Sequence, residues 1–173
     1  MSLVTPAPTM VFAALGSNLG DSRRMIREAM AQLQTFSDEP LLKSSLWQTS
    51  PVDCPPGSPV FVNAVAGLVP RAGETPESLL ARLRVLETES GRRPKQVWNE
   101  PRALDLDLIA FGGEIRNTPE LVLPHPRAHL RRFVLEPLAE IAPDLILPGQ
   151  TRSVSRLLAG LPVGETVRRL GDG

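Results

Sequence analysis

The chain has 173 residues, 42% of them hydrophobic and 22% charged, and its 19 Lys/Arg balance its 19 Asp/Glu. That length and balance suit one globular domain with a sizeable core and argue against a disordered or membrane-spanning chain. Cys54 is the only cysteine, so no internal disulfide forms. With no basic leader and no apolar run near the ~18 residues of a membrane span, a cytoplasmic soluble protein is the expectation.

In chain order, "MVFAAL" (10–15) reads as a buried strand. "GSNLGD" follows as a turn in which Gly16, Asn18 and Gly20 can take unusual dihedrals. Asp21 caps a helix whose Met25, Ile26, Ala29, Met30 and Leu33 recur at helical spacing. Residues 43–49 read as a strand, and the Pro-rich "SPVDCPPGSP" (50–59) as an exposed loop. "VFVNAVAGLV" (60–69) is a strand, and 75–91 a second helix with Thr75 as cap, Pro76 at its first position and Gly91 as stop. A second loop, "RRPKQVWNEP" (92–101), leads into the strand "ALDLDLIAFG". The order strand, helix, strand, strand, helix, strand predicts an α+β fold with a ferredoxin-like βαββαβ core, a mainly antiparallel sheet with helices packed on it. Beyond it the pattern predicts C-terminal additions: a short helix around 133–141, a strand at "LILPG" and a last helix at "SVSRLLAGL". One domain over 10–160 is expected, with 1–9 and 161–173 as loose termini.

The aspartate strand is the unusual element. Asp105 and Asp107 project from one face, about 6.6 Å apart along the strand axis, while the leucines take the other. Two carboxylates this close repel unless a cation sits between them, and hard Mg²⁺ binds through one or two carboxylates plus substrate phosphates. Taken alone, Asp-x-Asp fits equally well a sheet face that acidic residues keep wet.

The surroundings favour the cation. Residues 91–132 carry eight Lys/Arg against five Asp/Glu, including Arg92, Arg93, Lys95, Arg102, Arg127, Arg131 and Arg132. That local excess suits a compact polyanion such as a nucleotide triphosphate and is too small for a general nucleic-acid surface. Two or three of these cations are expected to be ordinary surface residues. Neither a P-loop nor a dinucleotide-binding glycine fingerprint is present. The chain has five Phe, two Trp and no Tyr, so aromatic placement is informative. Phe61 and Asn63 share a strand face near Thr49 and Ser50, and Phe133 lies in the basic segment; a ring face plus an amide can hold and read a flat heteroaromatic molecule. On spacing alone, core roles for these residues fit better, and His125 in "LPHPR" is either a catalytic or phosphate-contacting imidazole or a loop histidine.

The motifs "ALGSNLGD" (14–21), "TSPV" (49–52), "FVNAV" (61–65), "LETESGR" (86–92), "PRALDLDLIAFG" (101–112), "LPHPR" (123–127), "RRF" (131–133) and "PLAEIAPDLILP" (137–148) occur in one order. Together they make the chain strongly resemble the 6-hydroxymethyl-7,8-dihydropterin pyrophosphokinases of folate biosynthesis, over roughly residues 10–150. The resemblance implies transfer of pyrophosphate from MgATP to the pterin hydroxymethyl group, releasing AMP. It places two Mg²⁺ ions on Asp105 and Asp107, ATP against Glu87, Arg92, Arg102, His125 and Arg131, and catalytic roles on Arg92, Arg102 and the two aspartates. It sets the pterin between Phe61 and Phe133, with Asn63 and the segment Thr49, Ser50, Pro51 and Val52 at its edge. Phe61 stands where many members have Tyr. In the loop before the aspartate strand this chain has "VWNEPR" where many members have "RWGPR", so Trp98 stands one residue further from Arg102 in sequence, and Arg93 and Lys95 are the cations available for the loop's arginine role. The expected partners are these two small molecules, with no nucleic acid and no membrane, and the expected state is a monomer. A ferredoxin-like binding module is the rival from another class; it calls for several stacking aromatics and a wider basic field. Another Mg-dependent phosphoryl enzyme is the nearer competitor.

Overall fold

Val11–Ser17, buried at all but one of its seven positions, is the strand around which the sheet assembles (β1). The computed structural model describes residues 8–49, 60–90, 103–164 and 166–171. α1 (Ser22–Gln34) starts where the Asp21 side chain accepts the Arg24 N–H, and it buries Ile26, Ala29, Met30 and Leu33 as the spacing predicted. Two short strands follow, β2 (Leu42–Lys43) and β3 (Trp47–Thr49), then the long β4 (Phe61–Leu68). α2 (Pro76–Glu89) opens with a reciprocal capping box between Thr75 and Ser78 and with Pro76 in its first turn. β5 (Asp105–Phe111) is the aspartate strand. A small hairpin, β6 (Arg116–Asn117) and β7 (Val122–Leu123), precedes a 3₁₀ turn at Ala128–Leu130. α3 (Arg132–Ile141), α4 (Val154–Ala159) and β8 (Val167–Arg169) complete the described chain.

The main sheet runs β5-β1-β4-β3-β8, with β2 also on β4, and every pairing is antiparallel. Its first four strands have the expected ferredoxin-like order. On one face, Val11, Leu15, Ala64, Leu106 and Leu108 pack against α1 and α2 in one apolar cluster. On the other, Phe12, Val65, Ile109 and Ala110 pack against Val134, Leu135 and Leu138 of α3 and Val154 of α4. The C-terminal additions therefore form a third layer.

Three expectations differ from the structure. The segment 43–49 is split, because the Ser44 hydroxyl accepts the Val65 N–H at 2.8 Å while the Ser44 N–H donates to the Val65 carbonyl, so a side chain interrupts the ladder. "LILPG" is not a strand: Leu147 is buried in the second cluster and residues 148–149 turn. The sheet's last strand comes instead from the expected loose end, where Val167 pairs with Thr49 and Arg169 with Trp47.

Glu140 ties these layers together. From α3 its carboxylate accepts the Ser45 N–H (3.1 Å), the Ser45 hydroxyl (2.8 Å) and the Trp47 indole N–H (2.5 Å), with Arg169 of β8 at 4.0 Å. Glu140→Ala leaves these donors without their acceptor, so urea unfolding should show a loss of about 2 kcal/mol, and Glu140→Gln a smaller one.

Candidate active site

Every second residue of a strand shares a face, so the layer that α3 covers also contains the positions at the opposite end of the same strands. On β1 these pass from Phe12 and Ala14 to Gly16; on β4 from Val65 to Asn63 and Phe61; on β5 from Ala110 to Asp107 and Asp105. Gly16 pairs with Asp105 on one side and with Asn63 on the other, and Asn63 pairs in turn with Trp47. Asp105 and Asn63 thus sit two strands apart, roughly 10 Å, with no side chain between them. One end of this face is apolar and covered; the other presents a carboxylate pair and an amide across a glycine floor.

β5 carries a β-bulge where the two ends meet. Ala13 pairs with Leu108 and Phe12 with Ala110, which leaves Ile109 as an extra residue. Its carbonyl accepts the His125 N–H at 2.8 Å, fixing the loop that carries His125 beside the strand. The His125 Nδ1 accepts the Arg127 backbone N–H at 3.1 Å, so the ring proton is on Nε2. Burial, with the nearby Arg131 and Arg127, pushes the imidazole pKa down to about 4, against a weaker upward pull from Asp105. At neutral pH His125 is an uncharged N–H donor. The unfolded chain protonates near 6.5 and the folded one near 4, so this contribution to stability is present above pH 6.5 and is lost as pH falls through that window. Between pH 7 and 5 the wild type should lose about 1 kcal/mol more, after allowance for solvent screening, than His125→Gln in paired denaturation curves.

Asp107 is set differently from an ordinary surface acid. Burial first, then the Asp105 charge, raises the Asp107 pKa to about 6, opposed by Arg84 and Arg131. Among the described residues no group of three or more His, Cys, Asp or Glu side chains could hold a metal. A cation here would draw its remaining ligands from water and a bound polyanion, which fits Mg²⁺ with a nucleotide. The Arg131 guanidinium lies over the Phe133 ring, 5.4 Å from its centroid, at the start of α3.

Across the glycine floor, the Asn63 Nδ2 donates to the Thr49 hydroxyl at 2.9 Å, and both residues are buried. Gly16 is ordinary strand, not the turn residue expected; a Cβ there would lie 3.2 Å from Asn63 Oδ1, so the missing side chain makes room for the amide. The positive φ of 74° belongs to Gly20. Phe61 is half-buried beside Asn63, paired with Thr49.

Asp105, Asp107, His125, Arg131, Phe133, Phe61, Asn63 and Thr49 therefore come together in and around the end of one sheet face that, among the described residues, α3 leaves uncovered. Glu87 does not present itself there as expected. It is 1% exposed, and its carboxylate accepts from Arg84 and from the Leu106 N–H. Ser50, Pro51, Val52, Arg92, Arg93, Lys95, Trp98 and Arg102 lie outside the described residues. Arg132 pairs with Glu136 at 3.3 Å on the helix surface. Arg84, which the sequence reading passed over, acts electrostatically on Asp107; its three-residue spacing from Glu87 on a helix was the available signal. A groove of about 300 Å³ lined by Met25, Ala29, Leu86 and Leu104 belongs to the helical layer on the other side of the sheet, away from the aspartates.

Residues 12–143 match the family model described as 7,8-dihydro-6-hydroxymethylpterin-pyrophosphokinase (HPPK). The chain belongs to this family. It is 40% identical over 161 residues to the 2-amino-4-hydroxy-6-hydroxymethyldihydropteridine pyrophosphokinase of Pseudomonas aeruginosa, covering 92% of this chain and 96% of that protein. It is 37% identical to the Bacillus subtilis enzyme of the same name, over 76% and 77% of the two chains. A Plasmodium falciparum HPPK-DHPS crystal structure with pteroate superposes with a TM-score of 0.68 at 12% identity. That match covers 88% of this chain but 43% of the other, and it bears on the fold alone. As an HPPK, the protein is a pyrophosphoryl transferase acting on hydroxymethyldihydropterin in folate biosynthesis. No described helix is long and apolar enough to cross a membrane.

Proposed function

We propose that the uncovered end of the sheet face binds both substrates of this HPPK, with ATP over β5 and the pterin over β4, and that pyrophosphate passes between them across Gly16. The observation that carries this reading is the single row Asp105, Gly16, Asn63, which holds a carboxylate and a ring-reading amide at a separation suited to a phosphate chain lying against a pterin. Asp105 and Asp107 would hold two Mg²⁺ ions with ATP. The metal would neutralise phosphate charge and polarise the phosphorus under attack. Arg131 and the Nε2–H of His125 contact phosphate oxygens, the first with full charge and the second as a neutral donor. Arg92 and Arg102 take phosphate contacts by resemblance, and Glu87 acts on the site through its bonds to Arg84 and the Leu106 N–H. Arg93 and Lys95 are the candidates for the loop's cationic role, and Trp98 for covering the bound nucleotide.

On the other side Phe61 and Phe133 stack on the pterin, and Asn63 reads its edge together with Thr49, Ser50, Pro51 and Val52. Thr49 holds the Nδ2 end of Asn63, so Oδ1 is fixed as an acceptor for a ring N–H. The hydroxymethyl oxygen then attacks the β-phosphorus in line, AMP leaves, and the protein's contribution is placement and charge stabilisation. The same reading takes the enzyme to act as a monomer. The lone Cys54 supports a reducing, cytoplasmic setting.

The test is product analysis with ATP, Mg²⁺ and 6-hydroxymethyl-7,8-dihydropterin. AMP formed only when pterin is present is the expected result. ADP would point to a different phosphoryl enzyme, and nucleotide binding without product to a binding module.

A further inference from the structure

Among the described residues β5 is the outer strand of the sheet and pairs with β1 alone. In an antiparallel pair the N–H and C=O of one residue point the same way, so alternate residues of an outer strand offer both groups to an empty edge. Leu106, the residue between the two aspartates, is one of these, and its groups are both taken by α2. Its N–H donates to Glu87 Oε2 at 2.8 Å, and its carbonyl accepts from Arg84 Nη1 at 2.9 Å. The same Nη1 donates to Glu87 Oε1 at 2.6 Å, closing a ring of three bonds.

We propose that Arg84 and Glu87 are positioning residues for the Asp105/Asp107 pair, standing in for a missing neighbouring strand at Leu106 and so fixing the spacing and direction of the carboxylates on either side. This rests on the reading that those carboxylates hold the divalent cation that accompanies ATP. Two like charges on one face of an edge strand favour any local distortion that separates them. Capture of both backbone groups of the intervening residue resists that distortion. The ring has a firm base: Glu87 is 1% exposed, and Leu83 and Leu86 of α2 are buried in the apolar cluster that includes Leu106. The Arg84 guanidinium pairs with the buried Glu87 carboxylate at 2.6 Å. Glu87→Gln keeps the volume but replaces one acceptor oxygen with a donor, so one bond of the ring must break.

The experiment compares wild type with Glu87→Gln, Arg84→Ala and Arg84→Lys. Amide exchange at Leu106 is followed by NMR in the ligand-free protein. Mn²⁺ binding, as a probe for Mg²⁺, is followed by electron paramagnetic resonance with a nonhydrolysable ATP analogue. Binding of the analogue without metal, and KM for pterin, serve as controls. Glu87→Gln and Arg84→Ala should each speed Leu106 exchange and weaken Mn²⁺ binding by roughly tenfold. Metal-free nucleotide binding and pterin KM should stay near wild type, and Arg84→Lys should recover part of the Mn²⁺ affinity. Faster Leu106 exchange with unchanged Mn²⁺ affinity would make the ring purely structural and overturn the proposal. An equal loss of metal-free nucleotide binding would also overturn it, by showing that Arg84 acts on the nucleotide. Absence of Mn²⁺ binding in the wild type would remove the parent reading and this proposal together, a result distinct from either. The Arg84 side chain is 46% exposed, so its variants test the idea even if Glu87→Gln folds poorly.

Discussion

Asp107→Asn is expected to lower kcat by at least ~10³-fold while changing pterin affinity little, because the lost charge faces the phosphates and the ring lies two strands away. Pre-steady-state product analysis alongside pterin binding by fluorescence would check both halves. Turnover close to wild type would remove Asp107 from the metal site. The same substitution carries an opposite expectation for stability. The Asp107 pKa is about 6 in the folded protein and 3.8 in the unfolded chain, so the native state binds the proton more tightly. The stabilisation that accompanies the protonated form is complete below 3.8 and lost as pH rises through 6. Ligand-free Asp107→Asn should therefore be more stable than wild type at pH 8, by about 1–2 kcal/mol, and close to it at pH 4. An inactive variant with a raised Tm would identify the carboxylate as one retained for chemistry at the expense of folding.

Asn63→Ala should weaken pterin binding by about 10²-fold and leave ATP binding within about threefold. A site built to hydrogen-bond a ring edge loses about 2–3 kcal/mol when its acceptor goes and the ring group is left unpaired. Isothermal titration with the pterin, and separately with a nonhydrolysable ATP analogue, would measure the two. Equal losses for both ligands would mean that Asn63 acts through the sheet and not on the ring. The Thr49 hydroxyl loses its donor in the same variant, so Thr49→Val is a useful companion. It frees the amide to rotate and should give a smaller loss of the same ligand.

The core fold was legible because its signals are local. Helical spacing located the buried stripe of α1, and the Thr75 and Pro76 start signals located α2. The two aspartates announced themselves by breaking an apolar strand. What the sequence did not show depends on distant partners. Nothing in the three residues Val167–Arg169 marks a strand; they become one because the edge of β3 lies within reach. The apolar "LILPG" looks like a strand, yet Leu147 finds its partners in the layer under α3 and α4. Ser44 breaks a strand through its hydroxyl, a choice that depends on where Val65 falls. In the site, residue types were readable and their settings were not. The proton position on His125 follows from the Arg127 N–H, the space for Asn63 follows from Gly16, and the inward turn of Glu87 follows from the open edge of β5.

The extra residue at Ile109 makes β5 two segments of opposite phase. Before it, the odd-numbered side chains share the face that α3 covers; after it, Phe111 faces α1 and α2 and Ala110 faces α3. Deleting Ile109 would remove that phase shift: Leu108 opposite Ala13 and Ala110 opposite Phe12 would become neighbours, and the aspartates and Phe111 would all keep their faces. What would go is an apolar side chain from the layer under α3 and the carbonyl that accepts the His125 N–H. The deletion should therefore leave the sheet folded and loosen the loop that carries His125, so that activity falls more than stability.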